Sequence, residues 1–123
     1  MRLLPVLLGL VLLLAACDAA APGTDAAQVV EQYLQAKVAA DGEALRPLLC
    51  ADLEADFERE ANSFSGVEAS IEGLACTQDS DSDTVSCDGT IVAVYDGENR
   101  DFPLTRYRVV QEDGAWKWCG VAQ

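Results

Sequence analysis

Chemistry in this chain rests on cysteine and lacks histidine, which is absent from all 123 residues. That removes the usual general base, the Ser-His and Cys-His nucleophile pairs and the commonest neutral metal ligand. The five cysteines stand at positions 17, 50, 76, 87 and 119. None forms a Cys-x-x-Cys pair, which argues against zinc and against dithiol redox work. Asp79, Asp81 and Asp83 alternate with serines, like the start of a calcium loop. That loop needs glycine at its sixth position and glutamate at its twelfth; Thr84 and Thr90 stand there instead. The segment therefore reads as a polar hairpin tip, and no metal or cofactor is expected. Arg100, Arg106 and Arg108 lie on and beside one run of strand character, where they are expected to pair with carboxylates. The remaining candidates are aromatic. Tyr33, Tyr107, Trp116 and Trp118 are the best candidates for an apolar pocket, and Phe57, Phe64 and Tyr95 belong to the same wider set. Core packing is the alternative use of all seven, since a small domain has few large apolar groups to spare.

Four of the five cysteines need a scaffold, and the fifth has another use. Residues 3–16 are an apolar run that follows Arg2 and ends in Leu14-Ala15-Ala16-Cys17. At 14 residues it falls short of the roughly 20 needed to cross a bilayer. Its charged start, apolar middle and small-residue end describe a secretory signal peptide, placed at 1–16. Leu-Ala-Ala-Cys resembles the bacterial lipoprotein signal, the lipobox, in which the cysteine is lipidated and becomes the first residue. The resemblance implies a diacylglycerol on Cys17, often with a further acyl group such as palmitate on its amine. It implies export and a lipid anchor in a bacterial membrane, facing the periplasm or the cell exterior. Asp18 resembles an inner-membrane retention signal of some Gram-negative bacteria. Residues 17–24 are small and include Pro22 and Gly23, which suits a tether. Removing Arg2 leaves 7 of the 8 basic residues against 21 acidic ones, a mature net charge of −14. Such a surface repels nucleic acid. The expected partners are the membrane, through the lipid on Cys17, and a small apolar ligand or an envelope protein.

The elements follow from periodicity. Residues 25–40 read as a helix: Asp25 caps it, Gln28 stands at the capping-box position, and Val30, Tyr33, Leu34 and Val38 share a face. Asp41-Gly42 is expected to break it, with a short helical turn over 43–49. Residues 51–64 read as a cleaner helix with a stripe at Leu53, Phe57, Ala61 and Phe64. Asp52, Glu54, Asp56, Glu58 and Glu60 are assigned to its solvated faces. From residue 65 the period becomes strand-like, with runs over 67–74, 84–95, 102–110 and 115–121. Turns are expected at 79–83, 96–99 and 112–114. Helices first and antiparallel neighbours after give an α+β domain over 25–123, with helices packed on a curved four-stranded antiparallel meander sheet.

That layout orders the cysteines. An even number in an exported domain reads as two disulfides, with three connectivities open. If the first hairpin pairs residues whose numbers sum to 163, Cys76 faces Cys87. Cys50–Cys119 then remains, joining the helical layer to the last strand. Regular alternation there puts Trp116 and Trp118 on one face and Cys119 on the other. A bulge is needed if all three are to face the helices.

The lipobox, the segment VVEQYLQAKVAADGEALRPLLC, the strand runs and the ending YRVVQEDGAWKWCGV together resemble small secreted lipoproteins of the nuclear-transport-factor-2-like superfamily, the cystatin-like cone fold. The resemblance covers 25–121. It implies a curved sheet around the helices and a pocket at the open end of the cone. The superfamily includes ketosteroid isomerase and scytalone dehydratase, but no catalytic residue of theirs carries over to a position here. The expectation is a membrane-tethered, non-enzymatic binding or interaction module. The alternative is a small isomerase- or dehydratase-like enzyme using a carboxylate and a tyrosine in the cone pocket.

Overall fold

The computed structural model describes residues 25–80 and 82–123. The signal-peptide reading of 1–16, the lipidation of Cys17, the tether 17–24 and Asp81 lie outside the described residues.

Helix α1 (Ala26–Val38) starts where Asp25 accepts a hydrogen bond from the Gln28 amide at 2.8 Å. It buries Ala26, Val29, Val30, Tyr33, Leu34 and Ala36. Its end differs from the expectation. Ala40, not Gly42, takes the left-handed conformation, with φ 52°. The Asp41 amide then reaches the Ala36 carbonyl at 2.9 Å and closes the helix. Gly42 instead opens the short helix α2 (Gly42–Leu45), where a Cβ would sit 3.2 Å from Phe57 Cζ. A 3-10 turn at Arg46–Leu48 leads to Cys50.

The continuous helix expected over 51–64 is divided. Ala51–Asp56 is 3-10, and only Phe57–Ala61 (α3) is α-helical. Two causes are visible. Cys50 is fixed to the sheet by a disulfide and by its amide on the Trp118 carbonyl at 2.9 Å. Acidic residues also stand four apart at 52/56, 54/58 and 56/60, which disfavours α-helix.

The sheet has five antiparallel strands: β1 (Glu68–Gln78), β2 (Thr84–Tyr95), β3 (Glu98–Pro103), β4 (Arg106–Glu112) and β5 (Ala115–Val121). The α+β architecture stands with five strands instead of four, because the start of the run 102–110 belongs to β3, which reaches back into the expected turn, and the rest to β4. Pro103 cannot donate to a ladder, and the chain steps across at Leu104 and Thr105. There the Leu104 amide meets the Gly89 carbonyl at 2.9 Å, and the Cys87 amide meets the Thr105 carbonyl at 3.0 Å. The order is also not a simple meander. β1 pairs with one edge of β2, while β3 and β4 share the other edge, β3 along 90–95 and β4 along 84–86. The turn expected at 96–99 is a two-residue hairpin, because Asp96 and Gly97 both adopt positive φ.

Two bulges shape the sheet. In β1–β2 the register shifts between Glu72 and Ala75, beside Gly73 and Gly89. Past it, the pairing sum near the hairpin is 163, and Cys76 lies opposite Cys87. In β4–β5 the register shifts between Tyr107 and Val109, with Gly120 at φ 104°. This bulge lets Trp118 and Cys119 both be buried. Disulfides join Cys50 to Cys119 and Cys76 to Cys87, an arrangement compatible with an exported protein. Along β2, Val85, Cys87, Ile91 and Ala93 are buried under the helical layer. Among the described residues no helix is long and apolar enough to cross a membrane.

Candidate functional site

A cleft of about 320 Å³ opens where α1, the end of α3 and the β3–β4 step meet. Helix α1 contributes Tyr33, Leu34 and Lys37, residues that fall together because three- and four-residue spacings share a helical face. Glu60 comes from α3 and Phe64 from the turn after it. Phe102, Leu104 and Tyr107 come from either side of the β3–β4 step, and Trp118 and Val121 from β5. The division of 102–110 into two strands therefore builds one wall of the cleft. Phe64 holds Phe102 edge-on at 5.9 Å between ring centroids. Phe102 and Val121, at 41% and 61% exposed, form the rim.

A polar knot closes the inner end. The Tyr33 hydroxyl donates to Glu60 Oε2, and Lys37 Nζ reaches the same oxygen at 3.0 Å. Arg59 lies 3.7 Å from Oε1. Burial pushes the Glu60 carboxyl up, but the hydrogen bonds from Tyr33 and Lys37 and the two nearby cations outweigh it and hold the group below the usual glutamate range. The Tyr33 phenol moves the other way. Burial, then its hydrogen bond to Glu60 and the carboxylate charge, raise it far above the ordinary phenol value. Burial also raises Tyr107, against a hydrogen bond from the Thr105 backbone.

The Tyr33 ring stacks on Trp118, with centroids 3.8 Å apart and planes 10° apart. Tyr107 lies on Trp118 at 6.3 Å. The Trp118 indole Nε1 is buried and has no hydrogen-bond partner among the described residues. Buried donors are normally satisfied, so an orphan in a cleft wall stands out.

Of the four pocket candidates, Tyr33, Tyr107 and Trp118 meet in this cleft. Trp116 does not. It is half-buried, packs on the same core face two residues before Trp118 in β5, and lines a separate recess with Val109 and Gln111. Of the wider aromatic set, Phe64 joins the cleft, while Phe57 lies under the Arg46 guanidinium at 3.6 Å and Tyr95 beside Arg100. Lys37, Glu60 and Phe102 do not stand out in the sequence as site residues. Glu60 looks like its solvated acidic neighbours, although it stands three residues from Phe57 and four from Phe64. That spacing placed it on the margin of the apolar stripe.

Other recesses hold polar groups already engaged. A groove of about 320 Å³ beside Cys50 is lined by Arg46, Glu112 and Lys117. There the Glu112 carboxylate accepts from the Ala51 amide at 3.0 Å, and Lys117 donates to the Pro47 carbonyl. At the first hairpin, Asp79 accepts from Ser86 at 2.9 Å and from Arg106 at 3.3 Å, which pins the tip to β4. No group of three or more Cys, Asp or Glu side chains is placed to hold a metal ion among the described residues.

No family model matches the chain, and no curated protein matches it. Among solved structures, it is similar to a Novosphingobium aromaticivorans protein described as a putative scytalone dehydratase. The identity is 19%, the TM-score 0.40, and the match covers 74% of each chain.

Proposed function

We propose that this protein is an exported envelope lipoprotein, tethered through Cys17, whose α+β domain of the cone type binds a small apolar molecule without transforming it. In this reading residues 1–16 are the cleaved signal peptide, 17–24 the tether and 25–123 the binding domain. The observation that carries the binding role is the cleft itself. It combines aromatic walls with a carboxylate and a phenol that are both committed to each other.

The same pair is what an isomerase- or dehydratase-like enzyme would use, and it is the one feature in favour of that second reading. Its protonation states oppose it. A proton-transfer group works best with a pKa near the working pH. Glu60 is held low and Tyr33 is driven high, so at neutrality one stays ionised and the other stays protonated. The Tyr33 hydroxyl already donates to Glu60, whose Oε2 accepts from Lys37 as well. The pair reads as a clasp between α1 and α3.

Two experiments test this. Cys17→Ser should move the protein from the membrane fraction to the soluble envelope fraction; retention in the membrane overturns the tether. Mass spectrometry of the wild-type protein, purified natively from its envelope, should show a non-covalent small-molecule adduct. Release of a chemically altered product on incubation with the extracted molecule overturns the binding reading in favour of the enzyme.

A further inference from the structure

The cleft's polar inventory specifies what it can accept. Its carboxylate, Glu60, already takes the Tyr33 hydroxyl and the Lys37 ammonium. The Tyr33 proton is committed. A ligand donor brought to Oε2 would therefore compete with both, and Oε1 faces the Arg59 guanidinium at 3.7 Å. The unmatched protein group is itself a donor, the Trp118 indole N–H.

Charge narrows the class further. Lys37 balances Glu60 at 3.0 Å and Arg59, 3.7 Å from Glu60, is paired with Asp56 at 3.2 Å, so the knot carries no surplus of either sign. An ion entering it would be desolvated without a counter-charge. The chain's formal net charge of −13 opposes anions on approach as well. The walls are rings and branched aliphatic groups, which suit a flat, apolar body.

We infer that the ligand is a neutral molecule with an aromatic body and a hydrogen-bond acceptor that takes the Trp118 indole N–H. This rests on the binding reading of the cleft. Trp118 is then the residue that selects the acceptor, while Tyr33, stacked on it at 3.8 Å, holds its ring in place. The indole nitrogen is sealed from solvent. Binding therefore includes a shift of a lining side chain, and Phe102 and Val121 are the least enclosed of these.

The test uses the oxidised protein and three probes of one shape. Benzophenone is neutral and carries an acceptor, diphenylmethane lacks the acceptor, and diphenylacetate is anionic. Calorimetric titration should show benzophenone binding roughly ten-fold or more tighter than either of the others. Trp118→Phe should bring benzophenone and diphenylmethane to the same affinity. Should that variant not fold, the wild-type protein labelled with ¹⁵N gives the same answer. Benzophenone should move the Trp118 indole cross-peak, diphenylmethane should not, and the Trp116 indole is the internal control. Equal binding of benzophenone and diphenylmethane overturns the acceptor inference and leaves the binding reading standing. Preference for diphenylacetate overturns the neutral class. No binding of any probe at millimolar concentration overturns the binding reading together with this inference.

Discussion

Removing the Cys50–Cys119 bridge should cost more stability than removing Cys76–Cys87, and the loops they close predict by how much. The first bridge spans 69 residues and the second 11. In the chain-entropy model, cross-linking removes unfolded-state freedom that grows with the logarithm of loop length. These separations correspond to about 4.4 and about 2.8 kcal/mol. A domain of this size is stable by only about 5–15 kcal/mol, so the longer bridge decides much of the margin. The assay is urea denaturation of the oxidised protein against Cys50→Ala/Cys119→Ala and Cys76→Ala/Cys87→Ala, read by far-UV circular dichroism. With a slope of about 1–3 kcal/mol per molar urea, a difference of about 1.6 kcal/mol separates the two variants' midpoints by about 0.5–1.6 M. The consequences also differ in place. Cys50 donates its amide to Trp118, and Leu49 bridges Trp118 across the layers. Loss of the long bridge should therefore loosen the cleft wall, whereas loss of the short one should leave it intact. Equal losses, or a larger loss for the hairpin bridge, would refute the loop-closure reasoning.

Three further perturbations follow from the same contacts. Glu60 has a depressed folded pKa, so its stabilising effect is present above the unfolded glutamate value and is lost as pH falls through the folded one; thermal midpoints measured from pH 7 to pH 2.5 should fall less steeply in Glu60→Gln than in the wild type, and parallel curves would remove Glu60 from the acid response. Tyr33→Phe keeps the stack on Trp118 but removes the hydroxyl donated to a carboxylate, which should cost about 1.5–3 kcal/mol in urea denaturation; a loss below about 0.5 kcal/mol would show that the clasp adds little. Gly89→Ala places a Cβ 2.8 Å from the Glu72 carbonyl oxygen at φ 121°, while Gly66→Ala meets nothing within 4 Å at φ 74°. The first should destabilise by about 1–3 kcal/mol and the second by about 1 kcal/mol, and equal effects would show that the β1–β2 bulge is slack.

What the chain determines by itself is what local pattern and covalent arithmetic can carry. The Asp25 cap and the apolar face of α1 are helical spacing, and the first hairpin's pairing sum follows from where Cys76 and Cys87 stand. With that pair set, Cys50 and Cys119 have only each other. Helices before strands likewise reads out as α+β. The tertiary structure decided whatever depends on distant segments meeting. Pro103 and the Leu104–Thr105 step divide one apparent strand because β2 offers them two different stretches of its edge, which periodicity cannot show. The first part of the 51–64 segment becomes 3-10 because a disulfide and a strand carbonyl hold Cys50 just before it. Glu60, one acidic residue among many in sequence, becomes the acceptor of the cleft's polar knot only when α3 lies against Tyr33 and Lys37 of α1. Trp116 and Trp118 share a strand, a face and a residue type, yet the elements packed over each differ: Trp118 lies under Tyr33 with a buried, unpartnered N–H, and Trp116 lines a half-open recess. Spacing along a chain records which side chains share a face; which faces meet, and what they leave unsatisfied, is a property of the folded whole.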